Sequence, residues 1–139
     1  MSDISSNNTE LKKLLENAKT IAVVGLSPDP SRPSYGVASY LQSKGYKIIP
    51  VRPGTEEVLG EKAYASLKEI PVPVDIVDVF RSPEHMPQVV DEALAIHPKA
   101  VWMQLGISHE EAAQKVSKAG LKVIQDRCIL IEHKKLLHP

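Results

Sequence analysis

Cysteine occurs once in this chain, at Cys128, so no internal disulfide can form, and none of the five histidines stands with it at zinc-ligand spacing. Neither a disulfide framework nor a structural metal is expected. Charge of one sign is not in excess either. The 17 basic residues are balanced by 17 acidic ones, which leaves no basic field for non-specific nucleic-acid binding. DNA and RNA are therefore not expected as partners. No run approaches the roughly 20 apolar residues of a membrane span, and the polar start MSDISSNNTE has no apolar signal core. These absences point to a cytoplasmic protein with no membrane partner.

What is present fits one ordinary globular unit. At 139 residues, 42% apolar and 24% charged, the chain can build one core but not two. A single domain over residues 1–139 is expected, with residues 1–8 as a polar tail. LKKLLENAK carries leucines at helical spacing. TIAVVG is a β-branched apolar run closed by glycine, the pattern of a strand buried on both faces. Three prolines between Leu26 and Pro33 exclude helix and ladder pairing, and SYGVASYLQSKG then reads as a helix capped by Ser34.

The strand, loop and helix unit repeats. KIIPV is a second strand, interrupted by Pro50, and EKAYASLKEI can supply a short crossover helix. VDIVDVF is the third strand, with Asp75 at its entrance and Asp78 requiring a partner. PEHMPQVVDEALAIH, AVWMQ, SHEEAAQKVSKAG with Ser108 as cap, LKVIQ and DRCILIEHKKL complete the alternation. Five strands alternating with helices predict an α/β fold, a Rossmann-like three-layer αβα domain with a five-stranded parallel sheet in the order 3-2-1-4-5.

The arginines are placed unevenly. Arg32, Arg52, Arg81 and Arg127 each follow a predicted strand, while the thirteen lysines lie elsewhere. Ligands of open α/β sheets bind outside the carboxyl ends of the strands, and guanidinium is a planar fork suited to phosphate oxygens. A polyanionic ligand at one sheet edge follows. The first exit loop, Gly25 to Ser34, is not a G-x-G-x-x-G loop, because the next glycine is Gly36. It offers Ser27, Ser31, Ser34 and Arg32 beside a helix start, where unpaired N–H groups favour anions.

After the second strand, Arg52-Pro53 stands where an NAD-binding domain would place an acidic residue. Arginine there suits a ribose phosphate, as in NADP or the 3′-phosphorylated ADP of coenzyme A, and equally suits a solvated turn. Phe80-Arg81 leaves the third strand. As the only phenylalanine, Phe80 is either a core anchor or a cover for a ligand ring. After the fourth strand, Gln104 can hydrogen-bond amide or hydroxyl groups and Gly106 permits close backbone approach. Arg127 beside Cys128 allows a reactive thiol, although a lone cysteine is more often a small buried hydrophobe. No nucleophile elbow, H-E-x-x-H pair or Walker loop accompanies the histidines, most of which read as surface residues, so no catalytic set is assigned.

Taken together, Val24-Gly25-Leu26-Ser27 through Arg32-Pro33-Ser34, Val51-Arg52-Pro53, Val77-Asp78-Val79-Phe80-Arg81, Trp102-Met103-Gln104-Leu105-Gly106-Ile107 and Asp126-Arg127-Cys128 with Glu132-His133 resemble the small single-domain CoA-binding proteins. These are similar to the nucleotide-binding domain of the succinyl-CoA synthetase α-subunit. The likeness runs from about Leu11 to Leu136. It implies coenzyme A as cofactor, with Gly25, Ser27, Arg32 and Ser34, and Pro33 among them, facing the phosphates. It also implies Arg52 and Pro53 beside the adenosine and Phe80, Arg81, Gln104 and Gly106 along the remaining cleft.

The resemblance further implies a non-catalytic carrier, sensor or regulatory module for CoA or a short acyl-CoA. The sequence has no counterpart of the synthetases' phosphohistidine or nucleotide-grasp domains, so ligation by this chain alone is not expected. The competing readings are an NADP-linked oxidoreductase and a thiol redox sensor using Cys128. The apolar positions of the third and fourth helices serve either the core or a homodimer or partner protein.

Overall fold

A computed structural model describes residues 2–137. Five parallel strands form the main sheet: β1 (Thr20–Val24), β2 (Lys47–Val51), β5 (Ile76–Val79), β6 (Ala100–Met103) and β7 (Lys122–Ile124). Two-residue strands β3 (Glu57–Val58) and β4 (Glu61–Lys62) make a separate hairpin. The helices are α1 (Asn8–Asn17), α2 (Pro33–Ser43), α3 (Met86–Ile96), α4 (Glu110–Lys118) and α5 (Ile129–Leu136). Ala22, Val24, Val77, Val79, Val101 and Met103 pack against α3 and α4, whereas Ile21, Val23, Ile48, Ile76 and Trp102 pack against α1, α2 and α5. The chain is thus a three-layer, Rossmann-like α/β fold, as the continuous apolar strands require.

The sheet runs β2-β1-β5-β6-β7. Counted in chain order the five long strands lie 2-1-3-4-5, and the edge segment at Tyr64, bridged in parallel to Val51 outside β2, takes the third place of the expected 3-2-1-4-5 arrangement, joined there by a single bridge. Pro50 supplies a physical reason. Gly25 N–H donates to Val51 O at 2.9 Å, so Val51 faces β1 and Pro50, one residue earlier, faces the outer edge. Without an N–H, Pro50 suits an edge and not a central strand. Its carbonyl accepts from Tyr64 N–H at 3.0 Å, and Arg52 N–H donates back to Tyr64 O at 2.8 Å. The segment expected as a crossover helix is therefore spent on the β3–β4 hairpin, this edge cover and a 3₁₀ turn at Leu67–Glu69.

Strand order decides where a ligand can sit. The helix after β1 covers one face and the helix after β5 covers the other, so the connections diverge between two neighbouring strands and leave a crevice at their carboxyl ends.

Two aspartates of the third long strand behave differently. At the entrance, Asp75 accepts from the N–H groups of Lys19 at 2.7 Å and Thr20 at 3.0 Å. Burial pushes its carboxyl up, but these bonds and the Lys99 ammonium outweigh burial and hold it below its ordinary value. Asp78, expected to find a partner, has none among the described residues: it is fully buried between Val23 and Trp102 and neither carboxylate oxygen is hydrogen-bonded to them. Burial raises its pKa well above the usual carboxylate value.

A carboxyl with a raised folded-state pKa stabilises the fold fully below its unfolded value near 3.9, and that contribution is lost as pH rises towards the folded value. Asp78→Val removes the unpartnered group and should raise stability at pH 7 by about 1–3 kcal/mol. Thermal melts between pH 5 and 8 check this: the wild type should lose stability with rising pH relative to the variant. A variant melting below the wild type at every pH would show that Asp78 has a partner in solution.

Candidate functional site

The site is built where β1, β2 and β5 end together. Phe80 N–H donates to Val24 O at 2.8 Å and Gly25 N–H to Val51 O at 2.9 Å, which laces the three carboxyl ends into one rim. Gly25 has φ +86°, and a Cβ on it would lie 2.6 Å from Phe80 O and 3.2 Å from Arg81 Cδ. Only glycine lets the two exit loops approach so closely.

Beyond Gly25 the loop is organised by its own side chains. Ser27 N–H donates to Ser34 Oγ, and Asp29 N–H to Ser27 Oγ, both at 3.0 Å. Asp29 Oδ1 accepts from Ser31 N–H at 2.9 Å and from Ser31 Oγ at 2.8 Å, while Arg32 N–H donates to Asp29 O. The Ser31 bonds hold the Asp29 carboxyl below its ordinary value. Helix α2 starts at Pro33 with Arg32 as its cap, two residues before the expected cap at Ser34. Ser34 is consequently not the cap. Its hydroxyl closes the loop onto the helix, and Ser27 and Ser34, both buried, accept while keeping an O–H to donate.

A cleft of about 500 Å³ opens above this rim, lined by Gly25, Ser27, Arg32, Pro33, Ser34, Arg52, Pro53, Phe80 and Arg81. All nine were singled out from the sequence. No carboxylate lines it, and none of the ion pairs among the described residues involves an arginine. Three arginines therefore line one crevice without a salt bridge among the described residues, the Asp29 carboxylate lying near Arg32 but outside the lining, beside two serine hydroxyls and the start of a helix. Such an arrangement suits a ligand bearing several phosphate groups.

The remaining expected residues lie elsewhere. Gln104 is buried, with Oε1 accepting from Ile129 N–H at 3.0 Å, and Gly106 N–H donates to Asp126 Oδ1 at 2.7 Å. They brace the ends of β6 and β7 and do not line the cleft. Arg127, the fourth arginine, lies towards Asp3, whose carboxyl it helps to hold down, and its carbonyl accepts from Trp102 Nε1 at 2.8 Å. Cys128 is half-buried at the start of α5, packed on the sheet face that holds Trp102, and does not line the cleft.

Histidine placement also departs from expectation. His109, not Ser108, caps α4, its Nδ1 accepting from Ala112 N–H at 3.1 Å. His133 is buried, with Nδ1 2.7 Å from Tyr40 Oη. Burial and the Lys44 ammonium hold its pKa below the ordinary value, which keeps the imidazole neutral so that it can accept from Tyr40. Among the described residues, no group of three or more His, Cys, Asp or Glu could hold a metal ion.

One feature escaped the sequence reading. A recess of about 70 Å³ shares Pro53 and Arg81 with the cleft and extends past Val24, Val51 and Ala65 to His85, Gln88, Val89 and Glu92. The signal was the helical spacing of His85, Gln88, Val89 and Glu92 directly after Arg81. Ala65 carried no signal, because only the edge segment over Pro50 brings it there.

Comparison with known proteins agrees with the fold. The CoA binding domain family matches residues 19–134, and the chain belongs to that family. It is 46% identical to the uncharacterized protein YneT of Bacillus subtilis, over 91% of this chain and 94% of that protein. It is 32% identical to the alpha subunit of ADP-forming acetate–CoA ligase II of Pyrococcus furiosus, covering 81% of this chain but 27% of the subunit. The chain thus spans about a quarter of that ligase subunit. The solved structure of a Thermus thermophilus protein superposes with a TM-score of 0.90 at 46% identity, covering 94% of this chain and 98% of that one. Among the described residues, no helix is long and apolar enough to cross a membrane.

Proposed function

We propose that this protein binds coenzyme A or a short acyl-CoA in the cleft between β1, β2 and β5, as a cytoplasmic, non-catalytic carrier, sensor or regulatory module. The observation that carries the reading is the convergence of Arg32, Arg52 and Arg81 on one cleft with no facing carboxylate. Coenzyme A carries a diphosphate and a separate 3′-phosphate, so it can use three guanidiniums at once. The diphosphate is placed at Ser27, Arg32 and Ser34 by the α2 start, and the 3′-phosphate at Arg52 on the outer side. Arg81 and Phe80 cover the ligand where it crosses from β1 to β5. Family membership and the likeness to a domain of acetate–CoA ligase support the same ligand.

The 2′-phosphate of NADP would also suit Arg52, which keeps an oxidoreductase reading in the test. A thermal-shift comparison of CoA, acetyl-CoA, dephospho-CoA, NADPH, NAD and ATP separates them. A ligand at about 100 times its Kd stabilises the native state by about 2.7 kcal/mol, or roughly 5–10 °C for a domain of this size. CoA and acetyl-CoA should give that shift, with dephospho-CoA and NADPH giving less. A shift with NADPH and none with CoA would replace this function with the NADP-linked one.

A further inference from the structure

A second opening lies at the other end of the molecule. Its walls are the end of α1, the turn before β6 and the turn before β7, so it sits at the amino edge of the sheet, away from the arginines. The volume is about 470 Å³, inside the range of roughly 300–1,000 Å³ typical of small-molecule sites. We propose that this recess binds an amphipathic carboxylate, a straight-chain fatty acid of medium length.

The floor is apolar and only partly covered. Leu14 and Leu121 line it half-buried, together with the buried Ile4 and Pro98, so an aliphatic chain placed there removes apolar surface from water. The rim is cationic. Lys13, Lys99 and Lys122 line it against a single carboxylate, Glu10. Glu10 is divided between Lys122 at 3.4 Å and Lys13 at 4.0 Å, and Lys99 turns to Asp75 at 3.5 Å, outside the recess. One carboxylate cannot neutralise two ammonium groups, so the rim keeps an excess of positive charge.

The kind of cation selects the kind of anion. Backbone donors around the recess are already used: Lys99 N–H and Ala100 N–H donate to Asp75 O, Lys122 N–H to Lys99 O and Leu121 N–H to Val116 O. Polar recognition is left to the Asn17 side-chain amide and to ammonium point charges on flexible stems, which suit a single carboxylate and lack the fork geometry that the arginine cleft offers to phosphate. The apolar floor then favours a chain over a small carboxylate. The two openings are complementary in chemistry, one for phosphates and one for an acid with an aliphatic tail. This inference does not depend on what the cleft binds.

Backbone amide NMR of the full-length protein titrated with sodium octanoate tests it. Saturable shifts are expected at Leu14, Lys99, Leu121 and Lys122 and not at Arg32 or Arg81. Hexanoate should bind roughly tenfold more weakly, since each methylene is worth about 0.8 kcal/mol. The double variant Lys13→Gln/Lys122→Gln should weaken octanoate about tenfold, Leu14→Asp should abolish its binding, and Arg32→Ala should leave it unchanged. If Leu14→Asp fails to fold, the lysine variant alone decides. The proposal is overturned by no saturable shift up to about 10 mM ligand, by equal binding of octylamine, or by shifts centred on the cleft. A fall in solution mass on Leu14→Asp would overturn it too, because a second copy would then cover the recess.

Discussion

Arg32→Ala and Arg52→Ala should each weaken CoA binding by roughly 10- to 100-fold, and Arg81→Ala by a similar factor. A hydrogen bond to a charged group contributes about 1.5–3 kcal/mol, and 1.4 kcal/mol is a factor of ten. The losses should not come from misfolding. In the free protein no arginine belongs to an ion pair among the described residues, so truncating these three breaks no salt bridge, and Arg32 loses only a weaker attraction to the exposed Asp29 carboxylate. Melting temperatures without ligand should stay nearly level. Calorimetric titration of each variant provides the measurement, with Lys115→Ala as control, since Lys115 pairs with Asp91 well away from the cleft residues. The three positions also differ in ligand dependence. The penalty at Arg52 should vanish with dephospho-CoA, which lacks the 3′-phosphate, whereas the penalty at Arg32 should persist. Equal penalties with both ligands would remove Arg52 from the proposed phosphate contact, and a loss at Lys115 as large as at Arg32 would reduce the effect to net charge.

Gly25→Ala should be the most damaging small substitution in the chain. Two costs combine: a left-handed conformation at φ +86°, and a Cβ placed 2.6 Å from the backbone oxygen of Phe80. The first alone costs about 1–2 kcal/mol. The second cannot be relieved by rotating a side chain, because the obstacle is main chain held by the bond from Phe80 N–H to Val24 O. We expect about 3–5 kcal/mol of destabilisation by chemical denaturation. CoA binding should be lost even under conditions where the variant folds, because displacing Phe80 carries Arg81 with it. Gly36→Ala is the internal comparison. It lies within α2 with open space around a built Cβ, and should stabilise by about 0.5–1 kcal/mol. If Gly25→Ala is as well tolerated as Gly36→Ala, the close approach of the two exit loops does not exist in solution.

Much of this site was legible in the sequence because exit loops follow strands, and strands were marked by TIAVVG, KIIPV and VDIVDVF. Once those ends are located, Arg32, Arg52 and Arg81 must stand on one edge of any parallel sheet. Strand order was less legible. Pro50 was recognised as an irregularity, yet its consequence depends on which way residue 50 faces, and that is fixed by pairing with β1. Gln104 and Gly106 carried the expected residue types at the expected strand end, but Ile129 and Asp126 claim hydrogen-bonding groups of each, and those partners come from the start of α5 and the turn before it, 25 and 20 residues on. Arg127 fails for a related reason: β7 is an edge strand, and its exit points towards the arm around Asp3 and not back to β1. The burial of His133 and the lack of a partner for Asp78 were hidden because polar side chains on apolar elements give no sign of what faces them across the layer.

A crystal structure with CoA bound tests the central claim most directly. Phosphate oxygens should lie within about 3 Å of the guanidinium groups of Arg32 and Arg52 and of the Ser34 hydroxyl, with the ligand crossing Gly25 beneath Arg81. CoA seated away from the β1–β5 crevice, or bound there with its phosphates turned to solvent, would contradict it.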